Sequence, residues 1–393
     1  MDLAQYLEQC AREDRAGIDD YIASRSAADS VPDDQSLDDF LSGKAHSMPP
    51  QAFNISKRLI QGCAARKCTK ASNLSRCAAC KVVYYCGREH QTSDRPSHRS
   101  FCSKINKAQA GFEQEEKALR REEGDVIFEE GKGHFWGLLE TRDYMRARYT
   151  LVEALLKINT VQAATVALEH LLEMLQLCRS DIMGVRDVVP GLYVRLGRDQ
   201  DAYDFCKWWA EVVEDMHYDF RDTDLPYLNT KDADAFEDVK LFTGRYSSLS
   251  FVVNITLIKI RLLTDLQSLQ RAKELAGPHV PREILDHIQQ HTVGSIIANS
   301  PDIIKRDDQR PHIAELRDQI QQLFYAIQGA NPHFWPAVLQ PGENLRARPT
   351  SYSHGSKAQM QLILQYTYNA WSETPGAIGI METLWNQYED AAL

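Results

Sequence analysis

Along most of the chain the apolar residues recur at spacings of three and four, the period of an α-helix with one buried face. Four runs carry the pattern in its clearest form: 143–158 (DYMRARYTLVEALLKI), 160–178 (TVQAATVALEHLLEMLQLC), 184–197 (GVRDVVPGLYVRLG) and 199–213 (DQDAYDFCKWWAEVV). Polar breaks as short as Arg179-Ser180-Asp181 separate them, so neighbouring helices are expected to pack as antiparallel hairpins. Residues 2–24 predict one more amphipathic helix, with Leu3, Tyr6, Leu7 and Cys10 on its apolar face. Residues 108–125 (AQAGFEQEEKALRREEGD) are charged and helix-favouring. Further helices are expected near 281–298, 312–328, 356–372 and 376–389, between loops rich in Pro, Gly and aromatic residues. Outside a cysteine-rich stretch, no alternation is long enough to propose a sheet.

The predicted fold class is therefore mainly α: a small cysteine-rich module plus a larger α-helical domain. Six segments follow from the composition shifts. They are an N-terminal helix (1–28), an acidic flexible linker (29–53), the cysteine-rich module (54–107), a connecting helix or linker (108–135), a helical domain (136–275) and a C-terminal helical region (276–393). Leu196-Gly197 followed by Ala202-Tyr203 resembles the middle of a tetratricopeptide repeat (TPR), with a related phase at Ile158 and Ala164 and near Leu266 and Ala272. The offsets do not hold at the 34 residues of that repeat, and an irregular insertion around 218–245 interrupts them. A TPR-like array and a plain helical bundle both stay open.

Composition adds two facts. The 393 residues are 43% hydrophobic and 25% charged with a net charge of -10, ordinary values that point to no polyanionic partner for the whole chain. The charge is unevenly spread, with 11 acidic and 4 basic residues in 1–50 against 12 basic and 2 acidic in 54–107. No basic, apolar leader opens the sequence, and the most apolar run, 250–263, is broken by Lys259 and Arg261, so no membrane span is expected. Those features point to an intracellular, reducing compartment, nuclear or cytoplasmic, in which clustered cysteines read as metal ligands rather than disulfides.

Six of the nine cysteines fall within 40 residues, in the order Cys63-x4-Cys68-x8-Cys77-x2-Cys80-x5-Cys86-x3-His90-x7-His98-x3-Cys102. Eight candidate ligands suffice for two tetrahedral zinc ions, because borderline-soft Zn2+ takes thiolate sulfur and imidazole nitrogen. Cys77 and Cys80 have the tight spacing that lets two thiolates hold one ion. Cys86/His90 and His98/Cys102 are four apart, one turn of a helix, so each pair projects from one face. The segment holds too little apolar material to fold alone, so bound metal must supply much of its stability.

The run RCAACKVVYYCGREHQTSDRPSHRSFC (76–102) resembles the MYND finger. The resemblance implies interleaved ligands: Cys63, Cys68, Cys86 and His90 around one zinc, and Cys77, Cys80, His98 and Cys102 around the other. It also implies protein–protein contacts, in some members with proline-containing peptides. The chain departs from the family pattern in three places: the first pair is x4 rather than x2, His90 stands where cysteine is usual, and Arg95 stands where many members have tryptophan. The last change counts against proline-peptide binding, although Tyr84 and Tyr85 remain. As a whole the chain is similar to fungal MYND-finger proteins with a helical C-terminal region, through LGRDQDAYDFCKWW and the TPGAI at 374–378.

No enzyme signature accompanies the finger. The strand and Gly-Glu-Glu motifs of a SET methyltransferase are missing. Gly124-x6-Gly131-Lys132-Gly133 has the wrong spacing for a phosphate loop and lacks the following Ser/Thr. Ser353-His354-Gly355-Ser356 lacks a nucleophile elbow and reads instead as the cap of a helix starting near Lys357. Cys178 and Cys206 are expected to be buried thiols, and the tryptophans core. The basic residues of the module show no recognition-helix pattern, so nucleic acid is disfavoured. The expected function is that of a zinc-binding, non-enzymatic interaction adaptor. A nuclear transcriptional or chromatin corepressor and a divergent enzyme are the two alternatives.

Overall fold

In the computed structural model, residues 59–392 are described except 216, 245–246, 277–288, 290 and 350. The expected N-terminal helix, the acidic linker and the first part of the helix near 281–298 lie outside the described residues; of that last helix, 291–294 is irregular and only Ser295–Ala298 is helical. The fold is mainly helical, and the one sheet among the described residues is a two-stranded antiparallel hairpin, Ser75–Arg76 with Tyr84–Tyr85. The chain divides into two compact units, the first from residues 57–196 with 211–230 and the second from 197–210 with 231–393.

In the first unit the finger runs without a break into a helix of 36 residues, Arg88–Glu123. The finger's last turns and the helix expected over 108–125 are thus one rod. Its buried residues Ile105, Phe112 and Leu119 repeat every seven positions, the seam of two packed helices. That seam lies on the helix Arg142–Leu155, which buries Tyr144, Met145, Arg148, Leu151, Val152 and Leu155. The helix Val161–Leu177 completes a hairpin with it through residues 156–160. Thr160 caps this second helix by accepting a hydrogen bond from the Ala163 amide at 3.2 Å. Cys178 is buried just past its end, followed by the short helix Val189–Arg195. Part of the irregular insertion, 219–227, is tied down by Arg179. Its guanidinium donates to the carbonyls of Asp222, Thr223 and Leu225 and lies 4.9 Å from the Tyr227 ring centre.

The second unit is built around the helix Leu249–Ala276, which is apolar on every side and packs against Arg310–Ala330, Lys357–Glu373 and Ala377–Ala392. The charges that interrupt its apolar run are not solvated. Lys259 is fully buried and donates to the carbonyls of Ala235 and Glu237 at 2.8 Å each. Arg261 donates to Asp199 at 3.1 Å and to the Thr374 hydroxyl at 3.2 Å. Asp265 accepts from the amides of Val293 and Gly294. Lys259 and Asp265 thus anchor irregular segments to the central helix and Arg261 ties in two helix ends, as burial without a partner would be costly. Gly294 fits because a Cβ there would lie 2.8 Å from the Asp199 carboxylate. Ser356 caps the helix Lys357–Glu373, accepting from the Gln359 amide. Trp209, Trp335 and Trp371 are buried core residues, as is Cys206. No helix among the described residues is long and apolar enough to cross a membrane.

Candidate metal centre

The eight candidate ligands reach their positions from four kinds of local structure. Cys63 and Cys68 flank a turn closed by the Cys68 amide on the Ala65 carbonyl at 3.0 Å. Lys67 takes a left-handed φ of 64° in that turn, which absorbs the two extra residues of the x4 spacing. Gly62, just before it, sits where a Cβ would come within 2.5 Å of the Lys70 carbonyl, so the loop closes only without a side chain. Cys77 and Cys80 form a knuckle, with the Lys81 amide on the Cys77 carbonyl at 3.0 Å and Lys81 itself at a φ of 61°. Cys86 leaves the hairpin beside the first pair, its amide donating to Cys63 Sγ at 3.4 Å. His90, His98 and Cys102 all stand on the long helix, so one rigid element carries ligands for both clusters.

The structure gathers the side chains into two sets of four, Cys63/Cys68/Cys86/His90 and Cys77/Cys80/His98/Cys102. This is the interleaved pairing implied by the family resemblance. The spacings test the metal. A tetrahedral ion about 2.3 Å from each sulfur sets neighbouring sulfurs about 3.8 Å apart, and a sulfur about 3.6 Å from an imidazole nitrogen. Cys68 and Cys86 lie 3.8 Å apart, and Cys77 and Cys102 lie 3.7 Å apart. Cys63 Sγ is 3.4 Å from His90 Nδ1, and Cys80 Sγ is 3.5 Å from His98 Nε2. One short edge, Cys86 Sγ to His90 Nδ1 at 3.1 Å, joins a cysteine ahead of the helix to a histidine in its first turn, so this pair does not share the helix face that its spacing predicts. The two histidines present opposite nitrogens, Nδ1 at the first cluster and Nε2 at the second.

The electrostatics ask for a cation. Burial works against the Cys63 and Cys77 thiolates. Hydrogen bonds from the Ala65 and Cys86 amides at Cys63, and from the Cys80 amide and His98 at Cys77, outweigh it and leave them at about 7 and about 6. Cys80 is pushed up to about 12 by burial and by the Cys77 and Cys102 charges, and Cys86 and Cys102 are raised as well. Three adjacent thiols cannot all ionise without a counter-charge, and a divalent ion removes that conflict. Donor set, spacing and charge all fit two structural Zn2+ ions.

The shell around the clusters is small. Val82, Val83, Tyr85 and Ala65 are its buried residues besides the ligands. The Tyr85 hydroxyl donates to Asp94 at 2.6 Å, and its ring meets His98 edge-on with centroids 6.2 Å apart. The finger is also stitched to the helical hairpin. The Ile60 amide donates to the Asn159 carbonyl, the Val161 amide to the Ile60 carbonyl, and the Thr160 hydroxyl to the Val82 carbonyl at 2.7 Å. Nothing in the cysteine spacing points to Asn159, Thr160 or Asp94. Thr160 carries only the signal of an N-cap before an apolar run, and its second bond, 78 residues away in sequence, has none. Alongside the second cluster lies a cleft of about 510 Å³, lined by the knuckle and by a helix stripe that includes Arg88, Gln91, Arg95, Arg99 and Asn106.

A hairpin, a knuckle and a helix holding two crossed Cys/His clusters define a two-zinc cross-braced finger. Residues 63–102 match the family described as MYND finger. Over 64 residues, 16% of this chain, the sequence is 41% identical to the Rho GTPase-activating protein gacZ of Dictyostelium discoideum. The match spans only 6% of that relative's length and covers only the finger. No solved structure matches the chain.

Proposed function

We propose that the chain is a zinc-dependent protein-interaction adaptor, in which Cys63, Cys68, Cys86 and His90 hold one ion and Cys77, Cys80, His98 and Cys102 the other. The finger is its recognition surface, and the cleft beside the second cluster receives an acidic segment of a partner protein. The observation that carries this reading is the set of three arginines. Arg88, Arg95 and Arg99 line one cleft from one helix stripe, are exposed, and make no ion pair among the described residues. Guanidinium groups in a row pair well with carboxylates and offer an apolar proline little. Arg95, where many MYND fingers carry tryptophan, thus shifts the preference from proline-containing peptides to acidic ones.

The helical body, in the TPR-like reading, supplies a second surface. We take the chain as non-enzymatic. Outside the finger, the ionisable groups with strongly displaced pKa include Lys259, which donates to backbone carbonyls, and Asp265, which accepts from backbone amides. The competing corepressor reading predicts that proline-containing peptides bind instead.

Fluorescence polarisation of the zinc-loaded full chain with labelled Asp/Glu-rich and Pro-rich peptides separates the two. An acidic peptide should bind in a salt-dependent way, and Arg95→Glu should abolish that binding while zinc content stays at about two per chain. Preferential binding of the proline peptide, unchanged in Arg95→Glu, would overturn the acidic-partner reading.

A further inference from the structure

A second cavity, of about 410 Å³, opens in the first unit, away from the zinc clusters. Three helices build it, each through residues one or two turns apart. They are Phe112, Glu116 and Arg120 on the long helix, Tyr144 and Arg148 on the next, and His170, Glu173 and Leu177 on the third. Phe128 closes one side. The rings of Phe112 and Phe128 lie 5.4 and 5.3 Å from that of Tyr144, and Phe112 is 5.5 Å from His170, so the walls are aromatic.

Arg148 stands out on the floor. Its side chain is only 5% exposed, so the guanidinium is largely withdrawn from solvent. Its Nε donates to His170 Nδ1 at 3.2 Å, its Nη1 to the Tyr144 hydroxyl at 2.9 Å, and its Nη2 pairs with the Glu173 carboxylate. His170 accepts that bond as a neutral ring, since burial and the Arg148 charge hold it well below its usual range, at about 4. The pairing with Glu173 is lopsided. The cation is desolvated, whereas the Glu173 side chain is 65% exposed at the cavity's edge. Solvent weakens the attraction on the Glu173 side, while the buried guanidinium keeps its desolvation cost. A solvated carboxylate on a flexible stem is easily exchanged for another.

We propose that this cavity binds a carboxylate attached to an apolar group, with Arg148 as the anchoring cation and Glu173 as the carboxylate that the ligand displaces. The ligand's carboxylate takes over the Arg148 pair, and its apolar part fills the space between Phe112, Phe128, Tyr144 and Leu177. The volume lies in the range of ligand pockets, roughly 300–1,000 Å³, and near its lower end. It suits a group the size of one or two side chains. Such chemistry occurs at a peptide's C-terminus with an apolar last residue, and in a free aryl- or alkyl-carboxylic acid.

Titration calorimetry on the zinc-loaded full chain distinguishes the sources. The probes are a short peptide ending in phenylalanine with a free carboxylate, the same peptide as its C-terminal amide, phenylbutyrate and octanoate. The acid peptide, the small acids, or both should bind, and the amide should not. Glu173→Gln, a surface change, should tighten binding about tenfold by removing the internal competitor, about 1.4 kcal/mol. Arg148→Met should abolish it. Binding by the acid peptide alone identifies a chain terminus as the source, and binding by the small acids alone a free acid. The proposal is overturned if the amide binds as well as the acid. It is equally overturned if no probe binds either the wild type or Glu173→Gln.

Discussion

Replacing Thr160 by valine keeps the shape of the side chain and removes its hydroxyl, so it isolates the bond that joins the finger to the helical hairpin. Thr160 is 5% exposed. Its hydroxyl donates to the Val82 carbonyl at 2.7 Å while accepting from the Ala163 amide at 3.2 Å. Losing the cap costs about 1 kcal/mol, and leaving the buried Val82 carbonyl without a donor costs about 1–3 kcal/mol more. Thr160→Val should therefore destabilise the unit by about 2–4 kcal/mol, whereas Thr160→Ser, which keeps both bonds, should lose about 1 kcal/mol or less. The carbonyl belongs to the stretch between Cys80 and Cys86, so the loss should reach the metal. If 2 kcal/mol of it falls on the docked, metal-loaded finger, zinc affinity drops about thirtyfold. Urea unfolding followed by helical circular dichroism gives the first quantity, and competition with a chromophoric chelator gives the second. The reasoning fails if Thr160→Val matches Thr160→Ser in both assays. The claimed coupling fails if the urea midpoint falls while zinc affinity stays within about threefold of wild type.

Four further outcomes are expected. His98→Ala should lower bound zinc from two per chain to one, read by elemental analysis, and cobalt substitution should then report a single remaining thiolate site. Exhaustive chelation should strip protection from the start of the long helix and weaken the 142–177 hairpin, as seen by hydrogen exchange. Lowering pH from 6.5 towards 4 should destabilise the wild type more than His170→Gln. The folded imidazole sits at about 4 against 6.5 when unfolded, so its contribution is complete above 6.5 and fades as the unfolded state takes up the proton. Discounted for partial solvent access, the difference in urea-derived stability should be about 1–2 kcal/mol. Lys259→Met removes the donor to two buried carbonyls and should speed exchange across 231–243, with a net loss of about 1–2 kcal/mol after relief of the buried charge.

What could be read from the sequence follows where local patterns decide the structure. The eight ligands were legible because a tetrahedral ion imposes spacings that few other roles share, and the structure brings all eight into the two expected sets. Helices such as Val161–Leu177 and Lys357–Glu373 follow from apolar periodicity and from Thr160 and Ser356 as caps. The continuity of Arg88–Glu123 was not legible. Pro96 normally interrupts a helix, and here the chain passes straight through it on an exposed face. His90 on one side and His98 with Cys102 on the other belong to different clusters, and that double anchoring outweighs the lost hydrogen bond. Lys259 and Arg261 read as breaks in an apolar run, because a charge with backbone carbonyls waiting for it 22 to 24 residues away looks the same in sequence as a solvated one. The cavity around Arg148 was hidden for the same reason. Its walls come from positions 112 to 177, each one an unremarkable member of its own helix.

The long helix makes the zinc sites matter beyond the finger. Three of the eight ligands lie in its first fifteen residues, and its later turns supply Phe112, Glu116 and Arg120 to the Arg148 cavity. A helix transmits position along its axis because each turn is hydrogen-bonded to the next. Fixing His90, His98 and Cys102 therefore fixes the register of Ile105, Phe112 and Leu119 against the 142–155 helix, and with it the face that Phe112 presents to Tyr144 and His170. A finger without metal leaves that register to the seam alone. Zinc loading and occupancy of the cavity should then favour each other, since both select the same docked position of one rod. Zinc affinity measured with and without a saturating cavity ligand tests this: equal affinities would mean that the rod bends or slips between its two ends.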